Sequence, residues 1–199
     1  MIIIRVNRYV QLLSTATFVC LLSILLIRAI TDEDYDITSK STTLSETIDT
    51  NIFSTAFSAI LGLYAAFICT VTVFLWHPDT GPVSYMVTLA NVYLTFVVAL
   101  FAVAVGIVRL SERPKLHKYL AVSLTGSILL YGVMIIVRNT KVRGSSVAWP
   151  SILLGLFVTL LLLFLVTERG LFELFMFSIA LFMPLPLYHK YIYRGETIM

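Results

Sequence analysis

Charged side chains are missing from the middle of every long apolar run in this chain. Charged residues make up only 13% of the 199. Charges inside membrane segments ordinarily mark ion paths, proton relays or coupled pumps, so their absence argues against those roles. Gln11, Arg28 and Glu173 lie near the ends of runs, where a long side chain reaches the interface. Cysteine is nearly absent too. Cys20 and Cys69 both fall inside apolar runs, so they read as small core residues rather than a disulfide. The three histidines, His77, His117 and His189, stand in separate connections or in the tail. No His-x-x-x-His, Cys-x-x-Cys or paired acidic spacing offers a metal site. His77 and Asp79 belong to a Trp-His-Pro-Asp junction, which reads as an aromatic anchor followed by a turn. No Gly-rich phosphate loop, nucleophile elbow or triad order occurs. The expectation is a chain without metal or cofactor, and not an enzyme. The formal charge of +3 is spread over connections. A nucleic-acid footprint needs clustered Lys and Arg, so no nucleic acid is expected as partner.

What the chain has is apolar length. Hydrophobic residues make up 59% and mean hydropathy is +0.95, against roughly 45–50% apolar in soluble domains. Six runs stand out: residues 9–29, 52–76, 83–110, 119–137, 146–166 and 171–188. A hydrocarbon core about 30 Å thick needs roughly 20 apolar residues in a helix. Barrel strands would alternate apolar with polar residues, and stretches 96–105 and 160–166 do not. The fold class that follows is an all-α polytopic membrane protein, a bundle of six transmembrane helices in one domain spanning residues 1–199. The sixth run differs from the others. Glu173 sits near its start and Pro184 and Pro186 near its end, so it either spans or breaks towards the surface. The first run is too long for the 7–15-residue core of a signal peptide and is read as a retained helix.

One connection is long. Residues 30–51 are polar and acidic, with Asp32, Glu33, Asp34, Asp36, Glu46 and Asp49 against Lys40. That composition predicts disorder or a loosely packed cap. A short polar tail covers residues 189–199. The remaining joints are short, which makes consecutive helices antiparallel neighbours. With the N-terminus placed inside, basic residues divide evenly between the two sides, so the positive-inside rule does not decide orientation.

The informative patterns are helix faces. In the second run Ser54, Ser58, Gly62, Ala66 and Thr70 recur every four residues, a small-xxx-small stripe that lets another backbone come close. Ser151, Gly155 and Thr159 repeat the device in the fifth run. The third run aligns Ser84, Thr88, Asn91, Thr95, Ala99, Ala102 and Gly106 on one narrow face. These faces point to a non-enzymatic accessory protein: an assembly factor, chaperone or stable subunit of a membrane complex. Its partners would be the lipid bilayer and other integral membrane proteins, or further copies of itself. A small oligomeric transporter or channel using the third run's polar face is the alternative. A lipid-modifying enzyme, drawing on His77, Asp79, Glu173 or His189, is the third. A eukaryotic endomembrane such as the endoplasmic reticulum is the expected location.

Overall fold

A backbone amide that cannot reach water needs a partner within its own segment, and in a chain this apolar helices supply it. The computed structural model describes residues 2–31, 43–47, 49, 51–74, 82–141 and 147–184. Among them are seven helices and no strand: α1 (Ile2–Thr31), α2 (Leu44–Thr47), α3 (Asn51–Phe74), α4 (Pro82–Ile107), α5 (Pro114–Lys141), α6 (Ala148–Thr167) and α7 (Gly170–Phe182). Five are long and apolar enough to cross a membrane, over Tyr9–Arg28, Ile52–Thr72, Tyr85–Ile107, Pro114–Lys141 and Ala148–Thr167. This is the architecture of an integral multi-pass membrane protein.

The expected sixth span is not among them. α7 has 13 residues, about 20 Å of helix against a core of about 30 Å. Pro184 lacks the N–H that would continue the ladder, and the Met183 N–H turns back to the Ala180 carbonyl instead, at 3.2 Å. Residues 185–188 of the expected span lie outside the described residues, as do the tail and the turn holding His77 and Asp79.

The helices close a ring. α1 lies against α3, α3 against α4, α4 against α5, α5 against α6, α6 against α7, and α7 against α1. Short connections enforce the antiparallel order. The tightest is between α6 and α7, where only Glu168 and Arg169 intervene. Glu168 adopts a left-handed φ of 55°, the usual way to stop a helix and reverse the chain, though normally a glycine does it. Leu61, Ile128, Tyr131, Ile135, Phe157 and Leu181 are among the buried residues at the centre. Phe57 of α3 meets Phe177 of α7 with ring centroids 5.8 Å apart, within the range of favourable tilted pairs.

Two glycines set close approaches. A methyl group on Gly106 of α4 would stand 2.6 Å from Ser58 Oγ and 3.3 Å from Ser58 Cα on α3. One on Gly132 of α5 would stand 2.8 Å from Leu154 Cδ1 on α6. At Gly62, Gly126 and Gly155 nothing lies within 4 Å. Gly106→Ala is therefore expected to lose about 1–3 kcal/mol through overpacking. Gly62→Ala should be neutral or gain up to about 1 kcal/mol from helix propensity. Thermal unfolding of both variants in one mild detergent checks the contrast, and equal melting temperatures would contradict it.

Candidate functional site

The polar residues of the bundle gather in three places, and each solves a backbone problem. The first is the seam between α3, α4 and α5. Ser54 Oγ donates to the Gly106 carbonyl at 2.6 Å, across the close approach of α3 and α4. Asn91, only 2% exposed, donates from Nδ2 to Met134 O of α5 at 3.1 Å and to Val87 O of its own helix at 2.9 Å. Thr95 Oγ1 donates back to Asn91 O at 2.8 Å. Ser54, Ser58 and Gly106 thus meet at the α3–α4 close approach, Asn91 packs on α5 about 22 Å farther along α4, and Thr95 and Ala102 between them border the central space of the bundle. The other members of the small-residue stripes are not so placed. Gly62 meets nothing within 4 Å, Ala66 is exposed, and Ser151 and Gly155 lie exposed on α6.

The second place is the end of α7. Its last carbonyls have no helical donor ahead of them, and they end beside the middle of α1 and α3. Ser14 Oγ of α1 donates to Leu181 O at 3.0 Å, and the Tyr64 hydroxyl of α3 donates to the same oxygen. All three residues are buried. Next to this end is a central cavity of about 60 Å³, bordered by Tyr64, Thr95, Tyr131, Leu181, Met183 and Pro184 among others. Its lining is almost wholly apolar, and it has room for a few water molecules at most. On the outer flank of α7 an apolar groove of about 380 Å³ opens between Phe18 of α1 and Leu160 of α6.

The third place is a cap over the opposite end. Of the two expectations for residues 30–51, disorder or a loosely packed cap, residues 43–47 and 49 follow the second and are seated on the bundle. Locally the reason is a capping box, Thr43-Leu44-Ser45-Glu46. The Thr43 N–H donates to Glu46 Oε2 at 2.8 Å, and the Glu46 N–H donates to Thr43 Oγ1 at 3.2 Å. Three anchors then fix α2 to separate parts of the fold. The Leu44 N–H donates to Glu173 Oε2 of α7 at 2.6 Å. Ser45 Oγ lies 2.8 Å from Nε2 of His117, a buried residue of α5. Asp49 accepts from the Ser111 N–H at 2.9 and 3.1 Å and from its hydroxyl at 3.0 Å. Beside these, Arg109 pairs with Glu112.

The sequence places Glu173 at the interface, and its carboxyl is in fact roofed by α2. Burial pushes its pKa up to about 7; the Leu44 N–H opposes the shift and nearby Glu46 adds to it. Among the described residues no group of three His, Cys, Asp or Glu could hold a metal ion. Cys20 and Cys69 are both free thiols. Compared with protein-family models, curated proteins and solved structures, the chain matches none of them.

Ser14, Tyr64, Ser45 and Asp49 carried no weight in the sequence patterns. The capping box is the one local signal that could have found α2. The others pair residues at least 50 positions apart.

Two outcomes follow. Tyr64→Phe combined with Ser14→Ala leaves Leu181 O without these two donors and should cost about 1–3 kcal/mol, read as a fall in unfolding temperature in detergent. An unchanged temperature would mean that the oxygen finds another donor. The docked Glu173 carboxyl titrates near 7 and an undocked one near 4.5, so the docked state holds the extra proton between those values. Seating of α2 should therefore weaken as pH rises from about 4.5 to about 7 and change no further above that. Amide protection factors of residues 43–47 should be higher at pH 5 than at pH 8, and Glu173→Gln should abolish the difference.

Proposed function

We infer that this protein is an accessory subunit or assembly factor in an endomembrane such as the endoplasmic reticulum, and that it binds another integral membrane protein through the outer face of α6. The observation that carries this reading is what the bundle leaves unused. The small residues of α3 and α4 close on each other inside the chain at Ser54, Ser58 and Gly106. The equivalent stripe on α6, Ser151, Gly155 and Thr159, is exposed, and nothing lies within 4 Å of a methyl group placed on Gly155. α6 is also the least buried of the five spans. Hydrophobicity does not drive helices together in lipid, so a small-residue face is where two backbones approach closely.

The alternative, a small transporter or channel, would draw on the break of α7 within the bundle. Interrupted helices often mark solute sites. Against it, the cavity beside the break is small and apolar, and the polar face of α4 is engaged in packing against α3 and α5.

Gly155→Leu is expected to abolish co-purification of a reproducible membrane partner, or of a second copy, from native membranes in mild detergent. The stability of the variant should stay within about 1 kcal/mol of the parent. A lone monomer under crosslinking in native membranes would refute the reading.

A further inference from the structure

We propose that Ser45 is a nucleophile activated by His117 and that it accepts an acyl group from an ester or thioester at the membrane surface. The pair is remote from the α6 face and does not depend on it. The geometry fixes the proton. Nδ1 of His117 contacts the Val108 carbonyl oxygen, which can only accept, so Nδ1 carries the hydrogen. Nε2 faces Ser45 Oγ at 2.8 Å, and when it carries no hydrogen its lone pair accepts the hydroxyl proton. A serine, a histidine base and a third group that orients the base form the arrangement that activates a hydroxyl. Here a backbone carbonyl takes the place of the usual carboxylate.

The histidine is 2% exposed, so its ring is held, while Ser45 is partly exposed. The anchors at Leu44 and Asp49 keep α2 seated on either side of the pair. Among the described residues, Asp49 beside the pair is bonded to Ser111, Arg109 to Glu112, and Glu46 and Glu173 to the backbone of residues 43 and 44.

In the step proposed, Ser45 Oγ attacks the acyl carbonyl carbon and a C–O bond forms while the hydroxyl proton passes to His117 Nε2. Collapse breaks the bond to the leaving alkoxide or thiolate, which takes that proton from Nε2. The products are acyl-Ser45 and an alcohol or thiol, and no oxidant or reductant is needed. The substrate class follows from position. α2 sits against residues three places into α5 and α7, at the end of the bundle, where the headgroup region borders the hydrocarbon. A lipid ester or a soluble acyl thioester offers the same carbonyl.

The experiment uses the full chain in phosphatidylcholine vesicles, treated with a fluorophosphonate probe and mapped by mass spectrometry. An adduct at Ser45 is expected, absent in Ser45→Ala and formed at least about 100-fold more slowly in His117→Gln. Asp49→Ala, which removes the anchor at Ser111 and leaves both members of the pair in place, should also slow labelling; this arm stands even if His117→Gln does not fold. Vesicles carrying a chromogenic phospholipid ester and a soluble acyl thioester are then offered separately. Release from the vesicle ester assigns a lipid donor, and release from the thioester alone a soluble one. No adduct at Ser45, labelling of Asp49→Ala as fast as that of the wild-type chain, or release from neither donor overturns the proposal.

Discussion

The end of α7 is the constraint around which the rest of the bundle is arranged. A helix that stops short inside a membrane leaves carbonyl oxygens with neither a helical donor nor water, and an unsatisfied polar group there is expensive. Ser14 and Tyr64 meet that demand from two different helices, both at Leu181 O. Their hydroxyls must sit at the same depth, which couples the positions of α1 and α3 to the length of α7. Pro184 makes the interruption necessary, and the ring of helices makes it tolerable. A small apolar cavity lies beside it.

The opposite end is governed by a different balance. There the bundle meets water, and polar groups choose between solvent and one another. α2 has four residues, too few to persist as an isolated helix. Its order comes from a reciprocal cap within the segment and from anchors on α5, α7 and the α4–α5 turn. Each bond contributes modestly, but they act on one short element and restrict it from three directions. The burial that raises Glu173 is a consequence of that seating, since the carboxyl lies beneath α2.

Much of the architecture could be read from composition. Runs of about 20 apolar residues without alternation specify spanning helices, and short polar joints specify antiparallel neighbours. The small residues at Ser54, Ser58 and Gly106 announced a close approach, though not which helix would fill it. The same periodicity misled at Gly62 and Ala66, because spacing along one helix cannot reveal where its neighbour diverges. A loose cap is one of two expectations for residues 30–51, but what anchors it was hidden for a different reason. An acidic Thr/Ser-rich stretch looks unable to fold when only its own apolar content is counted. Its partners, His117, Ser111 and Glu173, lie 62 to 129 residues away, beyond any local pattern.

Ser45 and His117 belong to the rim of the bundle, where the rules differ from those of the spans. The sequence argued against chemistry because its histidines are isolated along the chain and no acidic partner stands near them. Isolation in sequence does not fix distance once helices fold back, since one seated turn carries a hydroxyl to an imidazole 72 residues away. The orienting group escaped notice as well, because Val108 contributes a backbone carbonyl that no motif records. The centres of the spans remain free of charge, and the α6 stripe remains open. The packing role proposed for the spans and the reactivity proposed for this pair draw on separate residues: the exposed stripe of α6 for one, α2 and the start of α5 for the other.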